Sequence, residues 1–392
     1  MTTLKWSDVY YKPFVLSDSS GTLDGLSVGD IKIDLDKPIN FEDRNDEVTI
    51  DVLMKAGFWL RKVASDTCRP QLAYHLFAAT HRPSYIETYF PLVKSLNKDT
   101  RKQFHKTINQ VLLHPGFDIQ LLKIAPASWP ATWTKSTTSL PSNFNDSNDY
   151  MLANSIRVIP ALAYLVAGHI VELFFFFRQD VLDRLLNSQI HILLYTDQDS
   201  FTADGGVAGG CYNPERGCVQ LVVSRLFEGF NQPTPGVFPF LHEFGHLLDF
   251  FDAATGKHAL TSSGWLPGMR PSDGDIYSPE ARETFIAGKR LEMERYDRQV
   301  VNPDGADPLP IGHPYVFQNN SEFIAGYLEM FFRNPHYFAA QNPDLFDGFA
   351  RLFRQDPRQY WEADFPFYIG QNRDFYKSGQ RPRASGLKLD MD

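Results

Sequence analysis

Pro239-Phe-Leu-His242-Glu243-Phe244-Gly245-His246-Leu-Leu-Asp249-Phe-Phe251 is the stretch on which the reading turns. It follows a chain break at Gln232-Pro-Thr-Pro-Gly236, and its apolar residues predict a helix over about 237–251. Within it, His242-Glu243-Phe244-Gly245-His246 is a His-Glu-x-x-His motif. On a helix, positions i and i+4 share a face, so both imidazoles can reach one ion. Glu243 is rotated about 100° from His242 and flanks the same site, where it can hold a water on the metal.

A catalytic zinc needs a third protein ligand and one open position. One scheme places that ligand further along the same segment, three residues past a glycine. Here Asp249 stands at the glycine position and Asp252 at the ligand position. Without the glycine, nothing breaks the helix to bring residue 252 to the metal. The other scheme draws a glutamate from a separate downstream helix, with Glu280, Glu283, Glu292, Glu294, Glu322 and Glu329 as candidates. Spacing does not choose among them. Glu322 is attractive because it opens an apolar helix carrying Phe323, Ile324, Tyr327, Leu328 and Phe331. Asp249, one turn past His246, is a candidate to orient a ligand from behind.

Upstream of the motif, Ile190–Tyr195 and Cys218–Ser224 are expected strands around the glycine-rich turn 204–210. The second is expected either as an interior strand or as an edge to which an extended peptide substrate adds. Downstream, helices are expected over Pro279–Arg298, from a Ser321 cap to Arg333, and over Asp344–Phe353. Toward the N-terminus, Ile31, Ile33 and Leu35 alternate as a short strand, and Glu47–Ala64, Gln71–Thr80 and Ser84–Leu96 have helical spacing. Asp99 is the expected cap of a further helix ending at His114-Pro-Gly116. Three parts are expected: a mainly helical extension over 1–85, a main domain over 86–375 with an insertion near 126–150, and a disordered tail over 376–392.

The 392 residues suffice for a large core without disulfide support. With 38 Lys and Arg against 47 Asp and Glu, the net charge of −9 excludes a globally basic footprint for nucleic acid. The 32 phenylalanines point to aromatic-rich packing. Three cysteines, Cys68, Cys211 and Cys218, are too few for a disulfide scaffold and fit a reducing, cytoplasmic setting. The apolar run Val158–Phe177 contains Pro160, His169 and Glu172, which argues for a buried helix rather than a membrane span. Gly25-Leu-Ser27-Val-Gly29 has the spacing of a nucleophile elbow, but a polar turn precedes it and a strand follows, the reverse of what that motif needs. His258, His313 and His336 lie near the motif and are expected as surface or hydrogen-bonded residues, with His313 at the rim of the site.

The chain resembles the Mlc titration factor A family of zinc metallopeptidases, and more distantly the catalytic domain of anthrax lethal factor. The likeness is carried by the motif stretch and by Tyr315-Val-Phe-Gln-Asn-Asn-Ser-Glu322-Phe. Met330-Phe-Phe-Arg-Asn-Pro335 and Phe353-Arg-Gln-Asp-Pro357 extend it, and a weaker likeness reaches back to about Tyr89. The resemblance implies an α+β, zincin-like fold with a small mixed sheet, an active-site helix and a second helix supplying the third ligand. It implies one Zn2+ on His242, His246 and Glu322, with Glu243 as base and Tyr315 as donor to the transition state. The activity implied is hydrolysis of peptides, aminopeptidase-type on short substrates. A second reading is a zincin-shaped protein that sequesters a partner such as a transcriptional regulator. Residues 1–85 and the 126–150 insertion have no counterpart in the family.

Overall fold

In the computed structural model, the described residues are 90–122, 160–195, 198–206, 208–222, 238–303 and 308–389. To these are added short pieces at 10–11, 27–28, 31–32, 34, 37, 43, 45–46, 59–60, 155–156 and 225–226. The chain divides into two compact units, one built mainly from residues before 173 and one from Leu173–Asp392 with short earlier stretches.

In the first unit, α1 (Pro91–Ser95) and α2 (Lys98–Leu113) precede β1 (Phe117–Leu122), which continues from the second unit and pairs antiparallel with β2 (Ser155–Ile156). Asn97, not Asp99, caps α2, accepting from the backbone N–H groups of Asp99 and Thr100. Both residue types make good caps, and spacing alone does not separate neighbours. The apolar run forms α3 (Pro160–Phe174), of 15 residues. No helix among the described residues is long and apolar enough to cross a membrane. Its buried Glu172 accepts from the Leu92 N–H and lies 3.4 Å from His169, so the carboxylate that interrupts the run is held inside the protein. Trp59–Leu60, within the run expected as a helix, instead pairs as a short strand with Tyr10–Tyr11. The run Phe58-Trp-Leu60 suits a pleated surface as well as a helix face. Ser27–Val28 pairs with Ile31–Lys32, so Ser27 sits in a hairpin rather than a nucleophile elbow. The expected helix at Gln71–Thr80, the 126–150 insertion and Cys68 lie outside the described residues.

The second unit continues from the end of α3 through α4 (Gln179–Asn187), β3 (Ile190–Tyr195), α5 (Gln198–Ala203), β4 (Gly210–Asn213) and β5 (Cys218–Val222). Strand β5 is buried throughout, parallel to β3 on one side and antiparallel to β4 on the other. Among the described residues the outer strand is therefore β4, and of the two readings of Cys218–Ser224 the interior one holds for Cys218–Val222. A run of Val-Gln-Leu-Val-Val with one polar residue is what a strand covered on both sides requires. Cys211 stands opposite Gln220 and donates to its side chain at 3.2 Å, while Cys218 stands opposite Asn213. Both thiols are free, and burial pushes each up to about 12.

Next come α6 (Pro239–Phe250), α7 (Pro279–Val301), α8 (Asn320–Arg333), α9 (Pro335–Gln341), α10 (Pro343–Phe353) and α11 (Pro366–Lys377). The described residues thus hold eleven α-helices with a small mixed sheet, an α+β architecture. Helix α8 is buried along most of its length, and the phenylalanine excess is spent around it. Phe331 packs against Phe346, Phe349 and Phe353 at ring centroid distances of 5.0, 5.7 and 5.8 Å, and Phe353 meets Phe174. In the segment expected as a tail, Arg383 and Lys388 accept hydrogen bonds from Tyr296 and Lys289 of α7 through their carbonyls.

Candidate metal centre

Helix α6 begins at Pro239, whose missing N–H costs nothing at a first helical position, and has no side-chain cap of its own. His242 and His246 lie one turn apart with ring centroids 4.9 Å from each other and planes at 87°. Beyond Phe250 the chain leaves the helix into a hairpin in which Phe251–Asp252 pairs with Lys257–His258. Asp252 caps that turn by accepting from Ala254 and Thr255, and it pairs with Arg270 at 3.2 Å. It is spent on the loop and is not part of the histidine cluster.

Helix α8 crosses α6 at the motif. Its cap is Asn319, which accepts from the Glu322 N–H, and not Ser321 as expected. The Ser321 hydroxyl instead lies 2.7 Å from His246 Nδ1. Glu322 Oε2 lies 3.1 Å from His242 Nε2 and 3.6 Å from His246 Nε2. Among the described residues, His242, His246 and Glu322 form the one group of three whose ligand atoms all lie within 4.8 Å of one another. Zinc held tetrahedrally at about 2.0–2.2 Å places its ligand atoms roughly 3.3–3.5 Å apart, so the donor set fits such an ion. The other candidate glutamates stand elsewhere. Glu280, Glu283 and Glu294 are exposed on α7, and Glu292 is buried against Arg295, Tyr327 and the Ile311 N–H. Glu329 sits behind His242, 3.7 Å from Nδ1.

Two further groups face the cluster. Tyr315, on a short 3-10 turn at Pro314–Phe317, donates its hydroxyl to Glu322 Oε1 at 2.8 Å. His313 caps this turn, its Nδ1 accepting from the Tyr315 N–H. Glu243 is 7% exposed and lies beside the outer strand. A methyl group on Gly210 would stand 3.2 Å from the Glu243 carboxylate, and the Tyr212 N–H of the same strand donates to it. Burial raises Glu243 to about 7, with nearby Glu322 and Glu329 adding to the shift and His242 opposing it. For His242, burial alone would lower the ring, but Glu322, Glu329 and Glu243 push it up to about 10. His246 falls to about 4 through burial and the charge of His242. Burial would raise Glu322, yet hydrogen bonding to His242 and the charge of His246 hold it below its ordinary value. Burial and the charge of Glu322 raise the Tyr315 hydroxyl, so it stays a donor. Three carboxylates converging on two imidazoles make this a place that favours positive charge.

Asp249 is fully buried, and its carboxylate accepts from the Gly264 N–H at 2.6 Å and from Ser263 at 3.1 Å. Burial raises it, while these contacts and the hydroxyls of Ser262 and Ser321 work the other way. It therefore bears on His246 through Ser321. The motif alone points to neither Ser321 nor the fit of Gly245 against α8, because both depend on a second helix crossing at that turn.

Residues 195–354 match the family model of the glucose-regulated metallo-peptidase M90.

This is the Mlc titration factor A family that the sequence resembles.

The M90 stretch runs from the end of β3 to the end of α10, so it contains the three residues of the cluster and the two groups that face it. The architecture is compatible with a zincin-like metallopeptidase fold, and the family implies a metal. No curated protein matches the chain.

Proposed function

We propose that this protein is a zinc-dependent peptidase, aminopeptidase-type on short peptides, with His242, His246 and Glu322 as metal ligands. The observation that carries the reading is the convergence of Glu322 from α8 on the two histidines of α6, inside a stretch that matches a metallopeptidase family. Two imidazoles and one carboxylate leave a fourth position open, as a catalytic zinc requires. Bound there, zinc would act as a Lewis acid and bring a water's pKa from 15.7 toward about 7.

The remaining steps belong to the chain. Glu243, raised to about 7 by burial, accepts the proton of the attacking water and passes it to the leaving amine. The Tyr315 hydroxyl, held 2.8 Å from Glu322, turns to donate to the oxygen on which negative charge develops. Its 45% exposure places it at the mouth of the site, free to make that exchange. The outer strand β4 passes directly beside Glu243, so an extended peptide added to it would present its carbonyls to the water that this base activates. The family resemblance favours short substrates, and the sparse cysteines favour a cytoplasmic setting.

The decisive test is Glu243→Gln with a peptide panel, with and without a chelator. The variant is expected to keep its zinc and lose turnover, and the wild-type cleavage is expected to stop on chelation. Full activity in the variant sinks the mechanism. A wild-type protein that binds zinc but cleaves nothing, while retaining a protein partner, supports the sequestering role instead.

A further inference from the structure

We propose that α8 sets the ring orientation and tautomer of both motif histidines, with Ser321 and Glu329 as positioning residues. This rests on the metallopeptidase reading above. An imidazole ligand has two ring nitrogens, and the hydrogen bond made by one decides which presents its lone pair to a metal. In both histidines Nε2 faces Glu322, at 3.1 Å for His242 and 3.6 Å for His246. In both, Nδ1 is turned to another residue of α8. His246 Nδ1 lies 2.7 Å from the Ser321 hydroxyl, and His242 Nδ1 lies 3.7 Å from Glu329 Oε2. The two rings stand almost perpendicular, at 87°, yet they obey the same rule of Nε2 inward and Nδ1 to α8.

The spacing on α8 explains how one helix does this. Ser321 and Glu322 lie in its first turn, and Glu329 follows seven residues after Glu322, two turns on along the same face. The polarity is consistent at each end. An Nδ1–H of His246 donates to Ser321, whose own hydrogen is left to face the buried carboxylate of Asp249. An Nδ1–H of His242 points at a carboxylate that is 3% exposed. The other oxygen of Glu329 accepts the Phe238 N–H at 2.5 Å, at the uncapped start of α6. Glu329 thus anchors both the helix that carries His242 and the ring itself.

The test uses the full chain, with zinc affinity from competition against a chelating dye and the histidine tautomers from long-range 1H–15N spectra of the zinc-loaded protein. The wild type is expected to show both rings protonated at Nδ1 and coordinated through Nε2. Ser321→Ala is expected to lose about 10- to 100-fold in zinc affinity, and Ser321→Thr, which keeps the hydroxyl, to recover it. Glu329→Gln is expected to weaken binding over the same range. If that variant fails to fold, the serine pair and the wild-type spectrum still decide. Coordination through Nδ1 in the wild type, or unchanged affinity in Ser321→Ala, overturns the inference while leaving the zinc peptidase standing. A wild type that takes up no zinc overturns both.

Discussion

Gly245 of α6 touches Ala325 of α8 so closely that a methyl group at 245 would lie 2.5 Å from the Ala325 Cα. The contact falls between the two histidines of the motif and one turn along α8 from Glu322. The separation of the ligands therefore depends on the absence of a side chain at one position. Gly245→Ala is expected to force the helices apart and cost about 1–3 kcal/mol through overpacking. A lower Tm together with weaker zinc binding is the expected result. A variant that melts and binds zinc like the wild type would show that the close approach does not set the site.

Glu322 and Asp252 represent the two schemes for the third ligand position. Glu322→Ala is expected to strip zinc from the purified protein, and Asp252→Ala to leave its metal content unchanged. Metal analysis by mass spectrometry separates the two, and the reverse pattern would return the ligand to Asp252.

Tyr315 donates to Glu322 from the rim of the site. If its hydroxyl serves the transition state, Tyr315→Phe should lower kcat by about 100- to 1,000-fold with little change in KM. A rise in KM at constant kcat would instead make it a substrate-binding group.

His258, in the hairpin after α6, is hydrogen-bonded to Ser188 at 2.9 Å and sits near the Tyr212 hydroxyl. Burial, aided by His191, lowers its ring to about 4. The unfolded chain, with a histidine near 6.5, binds more protons than the folded one between those values. Stability is therefore fully present above about pH 6.5 and is lost as pH falls through about 4, by an amount on the order of 3 kcal/mol. His258→Asn is expected to flatten denaturant midpoints across that window. An unaltered slope would assign the acid sensitivity to other groups.

Much of the site was legible because its rules are local. The i, i+4 spacing of His242 and His246 is a property of one helix, and the Tyr315 to Glu322 spacing matches a family run. The caps were less legible. Asn97 and Asn319 displaced the expected Asp99 and Ser321, since neighbouring polar residues compete for the same backbone donors and packing decides the winner. The edge strand was left open for a similar reason. Cys218–Val222 has the composition of a strand, but which strand lies outermost is a matter of pairing, and β4 takes that place.

From the sequence alone, then, come the helix that bears two histidines and a glutamate, an i, i+4 spacing that suits one metal ion, and a set of six glutamates from which a ligand was to be drawn. Periodicity and spacing act along the chain and determine these. Only the tertiary structure brings Glu322 within 3.1 Å of His242, sends Asp252 into a hairpin, and turns Ser321 and Glu329 toward the outer nitrogens of the rings. Those choices follow from where α6 and α8 cross. That crossing is set by Gly245 against Ala325 and by the aromatic packing around α8, contacts between residues some 80 positions apart, such as His242 and Glu322, that no local pattern records.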